Sequence, residues 1–245
     1  MEHKVALITG ASRGIGRETV LALARAGYDT AFSCANPDHR RSLEELAGRV
    51  SALGRRALPL CFDVADHEAC AAACDVIRGT LGTVSLLVNN AGAAHIGLFQ
   101  DMTPAQIRRL LDVDLLGAMN LSHICVPDMV RAGGGHILNV SSVWGEAGAS
   151  CEAVYSAAKG GLNSFTKALA KELAPAGVRV NAVALGVVDT DMNASLTEEE
   201  KAALIEQIPM GRFATAAEAA AFIVWAAQSG PYMTGQILRM DGGWI

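Results

Sequence analysis

From residue 4 onward the chain alternates short, almost wholly apolar runs with longer stretches whose apolar residues recur every three or four positions. The runs at 4–9, 29–34, 57–62, 84–88, 135–140, 178–183 and 236–240 predict strands covered on both faces, since a strand with one wet face would alternate polar and apolar residues. Between them the longer period predicts helices. One closes near Gly27, one spans 40–53, and an alanine-rich one over 67–81 ends at Gly82. Another over 103–126 opens on Thr103-Pro104, the next ends near Ala174-Pro175, and a strongly apolar one covers 216–227. Strand and helix alternating throughout predict an α/β fold: a doubly wound parallel sheet of about seven strands, three layers deep, forming a single domain over residues 1–245. No internal repeat, low-complexity segment or linker interrupts the pattern.

The first strand runs into Gly10-Ala11-Ser12-Arg13-Gly14-Ile15-Gly16 and then a helix. Glycines at such a turn let backbone approach a pyrophosphate, and the helix start adds N–H donors and a positive dipole end. The spacing is G-x-x-x-G-x-G, not the G-x-G-x-x-G of the commoner dinucleotide fingerprint. Further on, the strand at 135–140 delivers Ser141-Ser142 to the sheet edge where open α/β sheets bind ligands. Tyr155 and Lys159 follow, four apart in an alanine-rich run and therefore on one helix face. An ammonium beside a phenol favours the phenolate. Bringing a tyrosine from ~10 to near neutrality takes about 3 units, roughly 4 kcal/mol, so a positively charged oxidised nicotinamide is expected to assist the lysine. A tyrosine so tuned exchanges a proton with a carbonyl or alcohol oxygen, to which Ser142 can also offer its hydroxyl.

Thr9-Gly10…Gly14-Ile15-Gly16, Asn89-Asn90-Ala91-Gly92, Ser142, Tyr155…Lys159, Gly186…Thr190 and the closing Asp241-Gly242-Gly243 follow one another at compatible spacings over nearly the whole length. In this the chain resembles the short-chain dehydrogenases/reductases, in the compact branch that includes the 3-oxoacyl-thioester reductases. The resemblance implies a Rossmann-type fold and reversible hydride transfer between a nicotinamide and a carbonyl or secondary alcohol. Tyr155 would be the acid/base, Ser142 would steady the oxygen, and Lys159 would tune Tyr155 and bind the nicotinamide ribose. Coenzyme contacts are implied from Gly10, Ser12, Arg13, Gly14, Ile15 and Gly16, from Ala35, from Asp63 and Val64 beside the adenine, and from Asn90, Ala91 and Gly92. The backbone of Val188 would meet the nicotinamide amide, and Thr190 that amide or a phosphate.

Folds that select NAD place an acid on the adenosine ribose at the end of the second strand, where this chain reads Cys34-Ala35-Asn36. Ala35 holds the family position of that acid, Asn36 is neutral, and Arg13 is placed to pair with a phosphate. The expectation is NADP(H) over NAD(H), with Asp38 as the residue that a small loop shift could make the ribose acid. Asp114 stands where the family commonly has asparagine, in a catalytic set with Ser142, Tyr155 and Lys159. In relatives this region holds a water linked to the lysine. If a main-chain carbonyl holds it, aspartate serves as well; if the side chain matters, its charge pairs with Lys159 and weakens the pull on Tyr155. The first is the expectation. Leu185, where proline is usual, should loosen its turn slightly. Residues 191–211, acidic at Glu198-Glu199-Glu200 and then apolar, form a mobile substrate lid in relatives, although a solvated surface helix explains the acidic face equally. His95 and Cys151 are further pocket candidates.

Similarity points to reduction of a 3-oxoacyl thioester, with fatty acid biosynthesis as the setting and acyl carrier protein as a candidate partner. Reductases serving that acidic protein present basic residues beside the site. The corresponding stretches here, Arg131 to His136 and Ala174-Pro175-Ala176, carry little positive charge, which leaves a coenzyme A thioester, a free ketone, a sugar or a secondary alcohol open. A dinucleotide-binding protein without turnover is the remaining alternative. The apolar closing elements imply a homotetramer by resemblance. A net charge of −5 gives no general attraction to nucleic acid or anionic membrane. The sequence shows no uninterrupted apolar run long enough for a bilayer and no signal pattern before the first strand, so a soluble cytoplasmic protein is expected. Six scattered cysteines without C-x-x-C or zinc-like spacing are read as reduced thiols, not a metal site.

Overall fold

A computed structural model describes residues 4–194 and 196–245; residues 1–3, where the signal-pattern reading falls, and Ser195, inside the expected lid, lie outside the described residues. The strands are β1 (Val5–Ile8), β2 (Asp29–Cys34), β3 (Ala57–Cys61), β4 (Val84–Asn89), β5 (Gly135–Ser142), β6 (Val178–Leu185), β7 (Val188–Asp189), β8 (Ala214–Thr215) and β9 (Ile237–Met240). Seven of them make one parallel sheet in the order β3-β2-β1-β4-β5-β6-β9, and β7 pairs with β8 alongside. Pro59 sits in β3, at the sheet edge, where the N–H it lacks is not needed by a neighbour.

The helices are α1 (Gly14–Arg25), α2 (Arg40–Ala52), α3 (His67–Thr80), α4 (Pro104–Leu111), α5 (Gly117–Arg131), α6 (Trp144–Ala147), α7 (Ala153–Leu173), α8 (Glu198–Gln207) and α9 (Ala216–Gln228). Alternation along each strand feeds two cores. Ala6 and Ile8 of β1, Leu138 and Val140 of β5, and Val183 and Leu185 of β6 pack with α1, α2 and α9. Val5 and Leu7, Ile137, and Val178 and Val180 pack on the other face with α3, α5 and α7. Strands lined on both sides in this way show why their sequence reads apolar without alternation.

The chain runs β1, β2, β3 in one direction, then returns past β1 to continue with β4, β5 and β6. Connections therefore leave β1 and β4 in opposite directions, and a crevice opens at their C-terminal ends. The predicted helix over 103–126 differs in two ways. It continues through Pro127 to Arg131, its last turn held from outside by Asp128, which pairs with Arg78 at 2.7 Å. It is also interrupted by a π-helical turn at Asp112–Leu116, which was not read from the sequence. By length and composition, 104–131 is the one helical run among the described residues able to cross a membrane, but half of it is buried, with Leu121, Cys125 and Met129 in the core.

Candidate active site

The glycine turn is tight for a local reason. A Cβ on Gly16 would stand 2.3 Å from the Gly10 carbonyl oxygen, so α1 can lie against the turn only without a side chain there. Arg13 precedes α1 without a side-chain cap, and the first turn holds no acid, so its N–H groups face the crevice as free donors. From the neighbouring strand, Asn90 Nδ2 donates to the carbonyls of Thr9 (2.9 Å) and Gly10 (3.2 Å). Thr9 Oγ1 in turn accepts from the N–H groups of Asn90 (3.0 Å) and Ala91 (2.9 Å). The amide of Asn90 thus fastens β1 to β4 and shapes the crevice.

A cleft of about 740 Å³ follows this crevice across the C-terminal sheet edge, and every residue singled out above for catalysis or coenzyme contact, from Gly10 to Thr190, lines it. Three of the side candidates do not. Asp38 donates its N–H to Asn36 Oδ1 (2.9 Å) and stays exposed outside the cleft. His95 is passed over between its lining neighbours Ala94 and Ile96. Cys151 occupies a left-handed turn (φ 63°) with its carbonyl accepting from Gly97 N–H (2.9 Å), and Glu152 lines the wall in its place.

The lining residues that follow β2 itself, Ala35, Asn36 and His39, include no acid. His39 Nδ1 lies 3.2 Å from Ser12 Oγ, and Arg13, largely exposed, reaches within 3.5 Å of Asp191 Oδ2. Arg109 pairs with Asp63 at 2.6 Å across this end. Burial would raise the Asp63 carboxyl, but the guanidinium holds it below its ordinary range. His39 and Arg109 were not foreseen; a basic residue four after Ala35, at the family's ribose-acid position, was the available signal for the first, and nothing in the local sequence marked the second.

At the other end Ser142 closes β5, its Oγ accepting from Trp144 N–H (3.2 Å) and its hydroxyl hydrogen-bonded with the Tyr155 phenol. Lys159, buried one turn along α7, donates to the Val140 carbonyl (3.1 Å) and has its ammonium 5.5 Å from the centre of the Tyr155 ring. The π turn aims Asp114 at it: Oδ1 is 3.1 Å from Lys159 Nζ, and Oδ2 accepts from Ala93 N–H (3.0 Å). Of the two alternatives the sequence left, the side chain does pair with Lys159, which was not the favoured one. It is 1% exposed, with one oxygen beside the lysine and the other on Ala93 N–H. A cavity of about 10 Å³, at the lower limit for one water, adjoins Asp114, Lys159 and Thr9.

The protein's own groups do not lower the phenol. Burial pushes the Tyr155 phenol above its ordinary value; Lys159 and the Ser142 hydrogen bond pull it down, Asp114 and Glu152 push it up, and the net is upward. Lys159 is raised despite its burial, since Asp114 and Tyr155 favour its charged form. Asp114 is raised by burial, against the pull of Lys159. Beyond Tyr155 the cleft is walled by Trp144 and Trp244, packed edge to face at 4.6 Å, by Glu152, and by Ile96, Met192 and Leu204. Val188 lines the cleft with its carbonyl accepting from Asn193 Nδ2 (2.8 Å). Among the described residues no cluster of His, Cys, Asp or Glu could hold a metal.

Residues 4–201 match the family model for short chain dehydrogenases. The chain is 40% identical to the uncharacterized oxidoreductase YmfI of Bacillus subtilis, over 99% of each chain. It is 35% identical to the 3-oxoacyl-[acyl-carrier-protein] reductase FabG of Thermotoga maritima, over 100% of this chain and 99% of the relative. Among solved structures, a blue fluorescent protein from a metagenomic library, in complex with NADPH, superposes with a TM-score of 0.93 at 32% identity, covering 98% of this chain and 97% of that one. With the fold, the glycine turn and the cleft in agreement, the chain belongs to the short-chain dehydrogenase family, oxidoreductases that bind a nicotinamide dinucleotide and act on CH–OH and C=O groups.

Proposed function

We propose that this protein is an NADP(H)-dependent carbonyl reductase that converts a 3-oxoacyl thioester to the 3-hydroxyacyl thioester, with residues 1–245 as one catalytic domain. The observation that carries the reading is the convergence of Ser142, Tyr155 and Lys159 on the cleft that the glycine turn also enters. The cleft fits a dinucleotide on its own terms: uncapped N–H donors at the start of α1 suit a pyrophosphate, and Gly10 and Gly14, both at positive φ, leave backbone bare beside it. Gly10, Ser12, Gly14, Ile15 and Gly16 would hold the phosphates, Asp63 and Val64 the adenine, Asn90 to Gly92 and Lys159 the nicotinamide ribose, and Val188 and Thr190 the carboxamide.

When bound, the reduced nicotinamide supplies the hydride. The rest falls to the chain. Tyr155 donates a proton to the carbonyl oxygen, and its raised pKa keeps it in the donor form at neutral pH. Ser142 donates a hydrogen bond to the same oxygen as negative charge develops. Lys159, anchored on the Val140 carbonyl, stabilises the phenolate left behind. The tryptophan wall and the apolar side chains of Ile96, Met192 and Leu204 lining the cleft suit a substrate whose reacting carbonyl carries an apolar chain.

Preference for the 2′-phosphorylated coenzyme is supported by the absence of an acid at Ala35 and Asn36 and by the Arg13 guanidinium and the His39 ring nearby. Coenzyme oxidation assayed with acetoacetyl-coenzyme A and a panel of ketones, with NADPH and NADH in parallel, tests both halves of the reading. Turnover of thioester with NADPH is expected; equal efficiency with NADH overturns the coenzyme assignment. Arg13→Ala should raise the KM for NADPH about tenfold, the size of one charge-assisted hydrogen bond, and leave that for NADH nearly unchanged.

One observation favours a second reading, a free ketone or a coenzyme A thioester over a thioester on acyl carrier protein. Arg131, exposed near the expected docking face, is paired with Asp128, and α8 presents Glu198, Glu199 and Glu200 in its first turn. An acidic carrier would meet little positive charge. Salt-sensitive binding of acyl carrier protein at low ionic strength supports the carrier-bound substrate, and its lack supports the free one. Assembly as a homotetramer is proposed on the exposed Trp225, stacked on Phe222 at 5.5 Å along α9.

A further inference from the structure

We propose that Asp114 sets the pH range of catalysis: by taking up the charge of Lys159 it holds the Tyr155 phenol in its proton-donating form to higher pH, and so places the rising limb of alcohol oxidation in alkali. The inference rests on the reading of Tyr155 as the acid/base and extends it to the residue behind the lysine.

The geometry favours an ionised Asp114, although burial raises its carboxyl. Its Oδ2 accepts from Ala93 N–H at 3.0 Å and its Oδ1 faces the Lys159 ammonium at 3.1 Å. Both oxygens face donors, an arrangement that a protonated carboxyl would break. Asp114 and Lys159 therefore form a buried pair without net charge. A lone ammonium acts on the phenol as a full charge; a pair acts as a dipole, whose field falls off faster. The other groups facing the phenol do not restore the pull. Glu152, on the turn before α7, is a carboxyl and works in the same sense as Asp114, while the Ser142 hydroxyl is neutral. Arg109, the other cation acting on Asp114, is already paired with Asp63 at 2.6 Å. The pair is also built in. A Cβ on Gly92 would stand 2.9 Å from Asp114 Oδ1, so the backbone at Gly92 is shaped to the carboxylate.

The consequence for turnover follows from the proton balance. In reduction the carbonyl carbon gains a hydride and its oxygen gains the phenol proton, which solvent then replaces. In oxidation a phenolate must accept the alcohol proton while hydride leaves the carbon. The protonated phenol supports the first and blocks the second. Raising the phenol extends the reductive plateau to higher pH and moves the rising limb of oxidation to higher pH by the same amount.

Asp114→Asn tests this. Its three tyrosines, Tyr28, Tyr155 and Tyr232, make the protein suitable for ultraviolet difference titration in the absence of coenzyme, with Tyr155→Phe as the blank. The Tyr155 phenol is expected to titrate lower in Asp114→Asn by about one unit or more, as when a like charge is removed nearby. The oxidative limb of the pH–rate profile should move down equally. Unmoved titration and an unmoved limb overturn the proposal and leave Asp114 a structural residue. If no alcohol or carbonyl is turned over at all, the assignment of function fails while the titration still decides the role of Asp114. Should the variant not fold, the parent suffices: a Tyr155 phenol titrating below the ordinary tyrosine range overturns the proposal without any substitution.

Discussion

The two ends of β5 bury titratable groups in opposite ways. At its start His136 is 4% exposed, with Nδ1 3.2 Å from the Ala227 carbonyl and Nε2 3.1 Å from the Asn181 amide. One partner accepts and the other donates, which the neutral imidazole satisfies and the charged one does not. Burial, then the nearby Arg179 guanidinium, lower its pKa to about 4, against the contrary pull of the Ala227 carbonyl. At the strand's far end Lys159 and Asp114 are as deeply buried but remain charged, each stabilised by the other. The strand thus carries at one end a group whose charge burial removes and has beside its other end a pair whose charge survives burial. The difference lies in the partners. Amide and carbonyl suit a neutral ring and serve the fold, whereas opposed charges beside an open cleft hold a proton-transfer group in a defined state.

The comparison breaks most readily at the charged end. Tyr155→Phe deletes the proton donor and changes little else, so turnover should fall about 10³-fold with coenzyme binding retained, read by steady-state kinetics and coenzyme fluorescence. A variant that reduces ketone as fast as the parent removes the phenol from the mechanism. Ser142→Ala should cost about 10²-fold in kcat with little change in KM, since the hydroxyl acts on charge present only in the transition state. A change confined to KM would make Ser142 a binding residue.

Much of this was legible before any coordinates. The strands and their burial on both faces follow from apolar runs that lack alternation, and the glycine turn was readable because its constraint is local: Gly16 must be bare for α1 to pack on Gly10. Tyr155 and Lys159 were readable because helical spacing alone puts them together. What escaped was set by contacts between distant segments. The meeting of Asp114 and Lys159 depends on a π turn whose register no periodicity reports. Arg109 reaches Asp63 from 46 residues away, and the net effect on Tyr155 is a contest between burial and three charged neighbours. The short α6 and the β7–β8 pair were missed because elements of two to four residues have no period to detect.

The neutral end of β5 makes a claim about stability that needs no knowledge of the reaction. A histidine whose folded pKa is near 4 and whose unfolded value is about 6.5 binds its proton more readily in the unfolded chain. Above the unfolded value neither state is protonated and His136 adds no pH dependence. As the pH falls from about 6.5 toward 4 the unfolded chain takes up a proton that the fold refuses, and stability is lost, up to about 3 kcal/mol over the whole interval. His136→Gln keeps a side chain able to donate to the Ala227 carbonyl and to accept from Asn181, but cannot titrate. Whatever its stability at neutral pH, the variant should lose less on acidification than the parent, by about 2 kcal/mol between roughly pH 7 and pH 4.5 in urea titrations. Parallel acid slopes would mean that His136 takes up its proton in the folded state, and that burial does not separate the two ends of the strand by charge.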